Sequence, residues 1–440
     1  MKLSLIKQRY LPIFGFGLII YMPFHLLLSR WLSLYTGGLM VWEVGKDILT
    51  LIALIISIYV IIKNNLLKNP YLKALFVLSI FYGLIHLVFL LSPIVDRHAV
   101  IVATTYNGRL IAYLFIGIAA TTMSDKNYFN RLQKLIIIIS TITVIIAIFQ
   151  YLLPKDLMTH FGYSIERGAK PNFFIDDKPQ FPRLMSTLRD PNSYGAYLIF
   201  PITLLWISII NNYKKNKSKF LVIILLAHFI VLFLTYSRSA LIGVIASMGI
   251  STAIMHTSSI KKILRKYLKI IPVIMLVLGV GLVMGQKNTI VQNIIFHSDR
   301  QTVEADPNEK RIAVQKQAIE NILRNPEGHS PGTAGQVAFS NRKLPGIITE
   351  NYYLQIAYEV GLVGLLVFVC IIVLTYLLIL SSRDTKGKAL LLSTLWGYLI
   401  ISFLTHLWSN EAVSVQWWFT SGVMIGQSVY LNRAGKAATG

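Results

Sequence analysis

Two polar segments beside long apolar runs carry arginines that could bind an anionic group. Residues 186–195 contain Arg189 and lead through Asp190-Pro191-Asn192 into an apolar run, and residues 235–240 place Arg238 in a short turn between two such runs. A cation at membrane depth costs free energy unless it is paired or functional. For one isolated arginine, snorkelling at a helix end is the simpler explanation. Arg238 is therefore a candidate for binding an anionic group, and its interpretation depends on the other polar motifs of the chain.

A glutamate and a histidine are candidate general bases. Glu350 stands at the mouth of an apolar run, where a carboxylate can take a proton from a reacting group, although an acid favoured by the helix dipole at a helix start explains it equally well. His329 lies in a Gly-rich turn, residues 328–335, where a surface histidine is commoner. The other histidines have no metal-ligand spacing, and the chain has no phosphate-binding loop. We therefore expect no metal and no cofactor.

The elements that must position these residues are apolar runs long enough to cross a bilayer. Hydrophobic residues make up 55% of the 440 positions and charged residues 14%, unlike a soluble chain. A membrane span needs about 20 apolar residues and must be helical, because hydrocarbon offers the backbone no water. The predicted spans are 11–28, 44–62, 72–91, 109–123, 135–153, 193–210, 220–235, 239–255, 268–284, 361–380, 389–406 and 412–431. We predict one polytopic all-α membrane domain over residues 1–440, with about twelve transmembrane helices.

The distribution of charge predicts the orientation of these spans. When alternate connections are assigned to alternate sides, more than half of the 42 Lys and Arg residues fall on one side, with only Asp125 and Asp384 among the acids. Basic residues mark short cytoplasmic loops, so this side and both termini are expected to be cytoplasmic. The net charge of +23 then reflects topology, and no nucleic-acid partner is needed to explain it. The first run has no cleavage pattern before Arg30 and is expected to be a retained span.

Two long connections lie on the opposite, extracytoplasmic side. The first covers residues 154–192 and includes Arg183, and the second covers 285–349, between the ninth and tenth predicted spans. Within the second, Asp306-Pro307-Asn308-Glu309 has the residue order of a helix start. An amphipathic helix near 307–324, which includes Arg311, should follow. An extracytoplasmic active site would therefore take its residues mainly from these two connections, because most other connections are short.

Taken in order on one membrane face, these motifs resemble the superfamily of O-antigen ligases and O-antigen polymerases, which are bacterial membrane glycan transferases. The matching features are Asp190-Pro191-Asn192, the turn Ser237-Arg238-Ser239-Ala240, the turn at 328–335, and Glu350-Asn351 followed by Gly361 and Gly364. The resemblance implies a fold similar to the GT-C glycosyltransferases in the bacterial inner membrane, with the active site outside the cytoplasm.

The resemblance also implies a reaction and roles for particular residues. Such proteins transfer a glycan from an undecaprenyl-pyrophosphate carrier to an acceptor sugar hydroxyl, with inversion and without a metal. Arg189 and Arg238 match arginines of the family and would bind the pyrophosphate, with Arg311 and Arg183 as weaker candidates. Where ligases usually carry a histidine before the asparagine, this chain has Glu350, which looks more like the polymerase branch. Glu350 would then act as the base, with His329 in reserve.

Two alternatives stay open. A polymerase takes a second lipid-linked repeat unit as acceptor, whereas an O-antigen ligase transfers the glycan to lipid A core or another terminal acceptor. A lipid-linked oligosaccharide flippase would also have many spans and buried cations, but transporters tend to bind near the midplane and to show paired repeats. Here the unusual polar residues gather at one face. Oligomeric state, sugar and linkage are not predicted.

Overall fold

Long apolar helices form nearly the whole of the protein. The computed structural model describes residues 10–154, 156–175, 178–212, 218–255 and 307–437. Its helices are α1 (Tyr10–Tyr21), α2 (His25–Thr36), α3 (Leu39–Lys63), α4 (Pro70–Leu87), α5 (Arg97–Thr121), α6 (Tyr128–Leu152), α7 (Pro191–Asn212), α8 (Ser218–Leu234), α9 (Arg238–Met255), α10 (Pro307–Arg324), α11 (Tyr352–Leu380), α12 (Thr385–Ile401), α13 (Glu411–Ser414) and α14 (Thr420–Ala437).

Many of these helices could cross a bilayer, which confirms the prediction of an all-α membrane protein. By length and composition, eight helical stretches among the described residues qualify: Tyr10–Thr36, Leu39–Lys63, Pro70–Leu91, Arg97–Thr121, Tyr128–Leu152, Pro191–Asn211, Arg238–Met255 and Tyr352–Leu380. The count of twelve stays a prediction. The predicted span 268–284, residues 285–306 with the expected Asp306 cap, Lys155 and residues 176–177 lie outside the described part of the chain.

The fourth predicted span begins earlier than expected. We expected residues 109–123, but α5 starts at Arg97. Asp96 caps it by accepting hydrogen bonds from the backbone N–H groups of His98 (3.0 Å) and Ala99 (3.4 Å). Arg109 therefore lies in the middle of a helix and is buried.

The first outer connection contains a small sheet that the all-α prediction does not include. Strand β1 (Phe173–Ile175) pairs antiparallel with β2 (Lys178–Arg183), and Phe173 lies opposite Arg183. The backbone N–H of Leu184, directly after β2, donates to Leu234 O at the end of α8 (3.0 Å). The hairpin thus fixes the end of this connection to the turn between α8 and α9.

Glycines let the central helices approach closely. A Cβ at Gly117 of α5 would clash with the backbone oxygen of Phe419, which lies in the π-helical turn between α13 and α14, and a Cβ at Gly422 of α14 would clash with Leu114 O of α5. On α9 and α12, a Cβ at Gly397 would lie 2.7 Å from Gly243 O. Small residues at helix contacts are the usual means of tight packing between membrane helices.

Helix α11 is broken where the second outer connection packs against it. Val360 and Gly361 are not helical, and Gly361 has φ +74°. Pro326 O accepts the N–H of Leu362 (2.9 Å), and Glu359 O accepts the N–H of Ser330 (3.0 Å). A side chain at Gly361 would begin 2.5 Å from Pro326 O. The segment 328–335, which we expected to be a flexible turn, is mostly buried in this break.

Candidate functional site

A cavity of about 1040 Å³ lies among α2, α3, α5 and the two outer connections. Its wall follows α3 from Met40 to Leu54 and α5 from His98 to Ala112. Fourteen residues of helix rise about 21 Å, so both helices line the cavity to a similar depth. Residues of the first outer connection, residues of the second, and Ser409–Ala412 before and within α13 complete the wall.

One part of this wall is apolar and continuous with the outer surface of the bundle. Met40, Ile48 and Leu51 of α3 and Ile101 of α5 line the cavity, and each is more than half exposed. In a membrane protein, exposed apolar faces of the spans contact lipid tails. The cavity therefore combines an exposed apolar wall with a polar interior.

The inner part of the cavity holds four charged residues in one network, Lys46, Asp47, Arg109 and Glu411. Glu411 forms ion pairs with Arg109 and with Lys46 (Nζ to Oε1, 3.0 Å). Lys46 also pairs with Asp47 (2.9 Å), and Arg109 donates to Ser409 O (2.6 Å). Two buried cations therefore share one carboxylate. Charges at this depth persist only when they are paired and hydrogen-bonded.

The outer part of the cavity carries further cations. Arg30 pairs with Glu43 (2.8 Å), and the Arg189 guanidinium donates to Oε1 of Gln336 (2.6 Å). This last bond joins the two outer connections across the cavity, which Arg342 also lines. In all, five Lys or Arg side chains and three carboxylates face it. The excess of positive charge favours an anionic ligand.

Several buried polar atoms of the charged residues that line the cavity have no hydrogen-bond partner within the described part of the chain. They are Arg30 Nε, Asp47 Oδ1, Arg109 Nε and Glu411 Oε2. Buried polar atoms without a partner are uncommon in native proteins, and each requires an explanation such as water or a ligand. The network thus keeps hydrogen-bonding capacity beyond its internal ion pairs.

The Asp190-Pro191-Asn192 entry and the Ser237–Ala240 turn lie together at the start of α7. Arg183 donates to Thr235 O (3.0 Å) and to Asn192 Oδ1 (2.9 Å). Burial lowers the pKa of Arg183; the nearby Asp190 carboxylate opposes this shift, and Arg238 adds to it. A Cβ at Gly195 would lie 2.8 Å from that of Ala240. Arg183 and Arg238 therefore lie near each other beside the start of α7, which contributes Ser193 to the cavity.

Glu350 and Arg311 form an ion pair at a different place. Glu350 has φ +47°, a left-handed conformation that is rare outside glycine, and its carboxylate accepts from Arg311 Nε. Directly after it, the N–H of Tyr352 donates to Ser402 O at the end of α12 (2.9 Å). Both side chains are partly exposed. Arg238 begins α9, which packs against the same end of α12 through Gly243 and Ile401.

His329 is held by α11 and by its own connection. Its ring stacks on Tyr358 with centroids 4.1 Å apart, and Nε2 lies 3.0 Å from the Asn325 amide. Nδ1 lies 3.3 Å from Tyr358 O. Both ring nitrogens therefore have partners inside the protein.

The structure thus divides the six residues predicted from the sequence among four places. Arg189 lines the cavity, and Arg183 and Arg238 lie together beside the start of α7. Arg311 pairs with Glu350, and His329 contacts Asn325 and Tyr358. Their roles stay predictions. The sequence interpretation missed Arg30, Lys46, Asp47, Arg109 and Glu411. Charges inside apolar runs, such as Lys46-Asp47 within the predicted span 44–62, were the signal that could have identified them.

Fold and cavity define a multi-pass helical membrane protein with a charged cavity. Residues 221–369 match the family described as O-antigen ligase, which confirms the resemblance found in the sequence. The matched stretch contains the Arg238 turn, His329 and Glu350, whereas Arg189 and the α3 and α5 walls of the cavity lie before it. A comparison with curated proteins finds no match.

Proposed function

We propose that this protein transfers a glycan from an undecaprenyl-pyrophosphate carrier to an acceptor sugar hydroxyl at the extracytoplasmic face of the bacterial inner membrane, with inversion and without a metal. The cavity is the observation that carries the proposal. It combines an excess of cations with an apolar wall that reaches the lipid-facing surface. A polyprenyl diphosphate has the matching shape, with an anionic head and a long apolar tail.

The reaction needs stabilisation where negative charge develops. The acceptor oxygen forms a bond to the anomeric carbon of the donor, the bond from that carbon to the diphosphate oxygen breaks, and its electron pair remains on the diphosphate. Fixed guanidinium groups stabilise this charge without reorganising at the moment of reaction. Arg189 suits this role because Gln336 already holds its guanidinium in the cavity. Arg30 and Arg342 line the same cavity, and Arg183 and Arg238 add positive charge beside the start of α7.

The acceptor hydroxyl must lose its proton, and Glu350 is our candidate base, with His329 in reserve. The carboxylate of Glu350 is paired with Arg311 and is partly exposed. We infer that the acceptor approaches from the side of this pair, where the starts of α9 and α11 meet the end of α12. In that case the Arg311–Glu350 pair has to open before the proton can be transferred.

We favour a polymerase over a ligase because Glu350 stands where ligases usually carry histidine. A ligase that uses lipid A core, or another terminal acceptor, is the second candidate. A flippase for lipid-linked oligosaccharide is the third, since the same cavity could carry a lipid-linked anion without chemistry.

Purified protein in lipid nanodiscs, supplied with lipid-linked repeat unit alone, separates these functions. We expect a ladder of glycan products and a loss of about a hundredfold or more in turnover for Arg189→Ala. Arg131→Ala is the matched control, because Arg131 pairs with Asp125 in an exposed position and does not line the cavity. A product only after lipid A core is added indicates a ligase. No product with any acceptor overturns the transferase proposal.

A further inference from the structure

A chain of hydrogen bonds through a buried glutamate links three helices to the second outer connection. Glu359 of α11 is fully buried, its Oε2 accepts from Asn107 Nδ2 of α5 (2.8 Å), and its Oε1 accepts from the N–H of Gly332 (2.9 Å). The Asn107 Nδ2 atom also lies 3.3 Å from His86 Nε2 on α4. None of these residues lines the cavity.

The direction of every hydrogen bond in this chain is fixed. His86 Nδ1 lies 2.9 Å from Tyr82 O, which can only accept, so Nδ1 carries the proton and Nε2 of the neutral ring accepts. The Asn107 amide therefore donates one hydrogen to His86 and the other to Glu359. Both carboxylate oxygens of Glu359 are acceptors, which no neutral side chain of the same shape can reproduce.

The chain continues from Gly332 to the cavity. Gly335, three residues later, donates its N–H to Ile347 O (3.0 Å), and a Cβ at Gly335 would lie 2.6 Å from the Gln355 side chain. The next residue, Gln336, accepts the hydrogen bond from Arg189. These contacts connect Glu359, through Gly332 and the backbone of residues 332–336, to the acceptor of the Arg189 hydrogen bond.

We infer that Glu359 is a positioning residue for glycan transfer, because through Gly332 and Gln336 it holds the Arg189 guanidinium in the cavity. The inference rests on the proposed function. It means that Glu359, although remote from the cavity, affects turnover as well as folding.

Turnover in a double-mutant cycle tests the inference. Glu359→Gln places an N–H₂ group against a donor, and we expect kcat to fall about ten- to a hundredfold, the effect of one lost hydrogen bond to a charged acceptor. In an Arg189→Ala background the same change should lower kcat no further, because the two residues act through one route. Thr375→Val is the control on the same helix: its buried hydroxyl donates to Ile371 O (2.8 Å), and its effect should be equal in both backgrounds.

Gln336→Ala, remote from the buried chain, provides a second readout. It removes the acceptor of the Arg189 hydrogen bond directly, so it should reproduce the loss of kcat even where Glu359→Gln does not fold.

Two results overturn the inference while the proposed function stands: Glu359→Gln or Gln336→Ala turns over like wild type while Arg189→Ala is defective, or Glu359→Gln has its full effect in the Arg189→Ala background. A wild-type protein that forms no product would instead overturn the proposed function.

Discussion

Among single residues, Glu411 has the most demanding electrostatic position, since its one negative charge faces both Arg109 and Lys46. Removing one member of a buried ion network leaves the others uncompensated and costs about 3–5 kcal/mol. We predict that Glu411→Gln strongly lowers the thermal unfolding temperature in detergent. Asp125→Asn removes the exposed partner of Arg131 and should change stability by less than about 1 kcal/mol. Similar unfolding temperatures for the two variants would contradict the role of the network.

A second prediction for a single residue concerns Glu350. It distinguishes a catalytic base from an acidic residue that only stabilises the start of a helix. Glu350→Gln keeps the shape of the side chain but cannot take a proton. If Glu350 is the base, kcat should fall about 10²- to 10⁴-fold, with little change in the amount of folded protein. Initial rates with lipid-linked donor measure this.

The variant Arg311→Ala is the companion measurement for Glu350. It frees the carboxylate without removing it, so its loss of kcat should be much smaller. Equal losses for both variants would instead indicate that the ion pair itself is needed, for binding or for the left-handed turn at Glu350.

Among the elements, α5 connects the cavity to the core of the bundle. Its outer half carries the cavity residues up to Ala112, including Arg109, and its inner half packs against α14 through Gly117 and Gly422. Tight backbone contact below the cavity fixes the depth and rotation of α5. The position of Arg109 opposite Glu411 is therefore set by glycine packing about two turns further along the helix.

Two glycines of α5 test this dependence. Gly117→Ala places a methyl group against Phe419 O, and such overpacking typically costs about 1–3 kcal/mol. Gly108→Ala meets no atom within 4 Å and should be neutral or slightly stabilising, because alanine favours the helix by up to about 1 kcal/mol. Thermal unfolding of both variants in the same detergent measures the difference. A Gly117→Ala protein as stable as the Gly108→Ala protein would show that this contact is not tight.

At the scale of the whole molecule, the sequence predicted the membrane class from long apolar runs and missed much of the site. Spans are predictable because the bilayer constrains length and composition. The cavity is not, because Lys46, Arg109 and Glu411 meet only through tertiary packing of three separated segments. The burial of residues 328–335 could not be predicted from the sequence either, because a glycine-rich composition suits a mobile turn as well as a segment packed in a helix break.

The orientation of the molecule remains a prediction from charge, and the cavity gives it a second basis. The cavity extends from connections and helix ends that alternation of the spans assigns to the outside into the middle of α3 and α5. The exposed residues Lys386 and Arg383, by contrast, flank the start of α12, at the expected cytoplasmic end. Glu327, before the break in α11, and Lys386, after α11, are both exposed and should face opposite sides of the membrane.

Cysteine labelling tests this orientation with little interference, because Cys370 is the only cysteine of the chain. In a Cys370→Ser background, Glu327→Cys should react with a membrane-impermeant maleimide in intact spheroplasts. Lys386→Cys should react only after the membrane is permeabilised. The reverse pattern would place the cavity in the cytoplasm, where an acceptor on the outer face of the membrane could not reach it, and would exclude extracytoplasmic transfer by this protein.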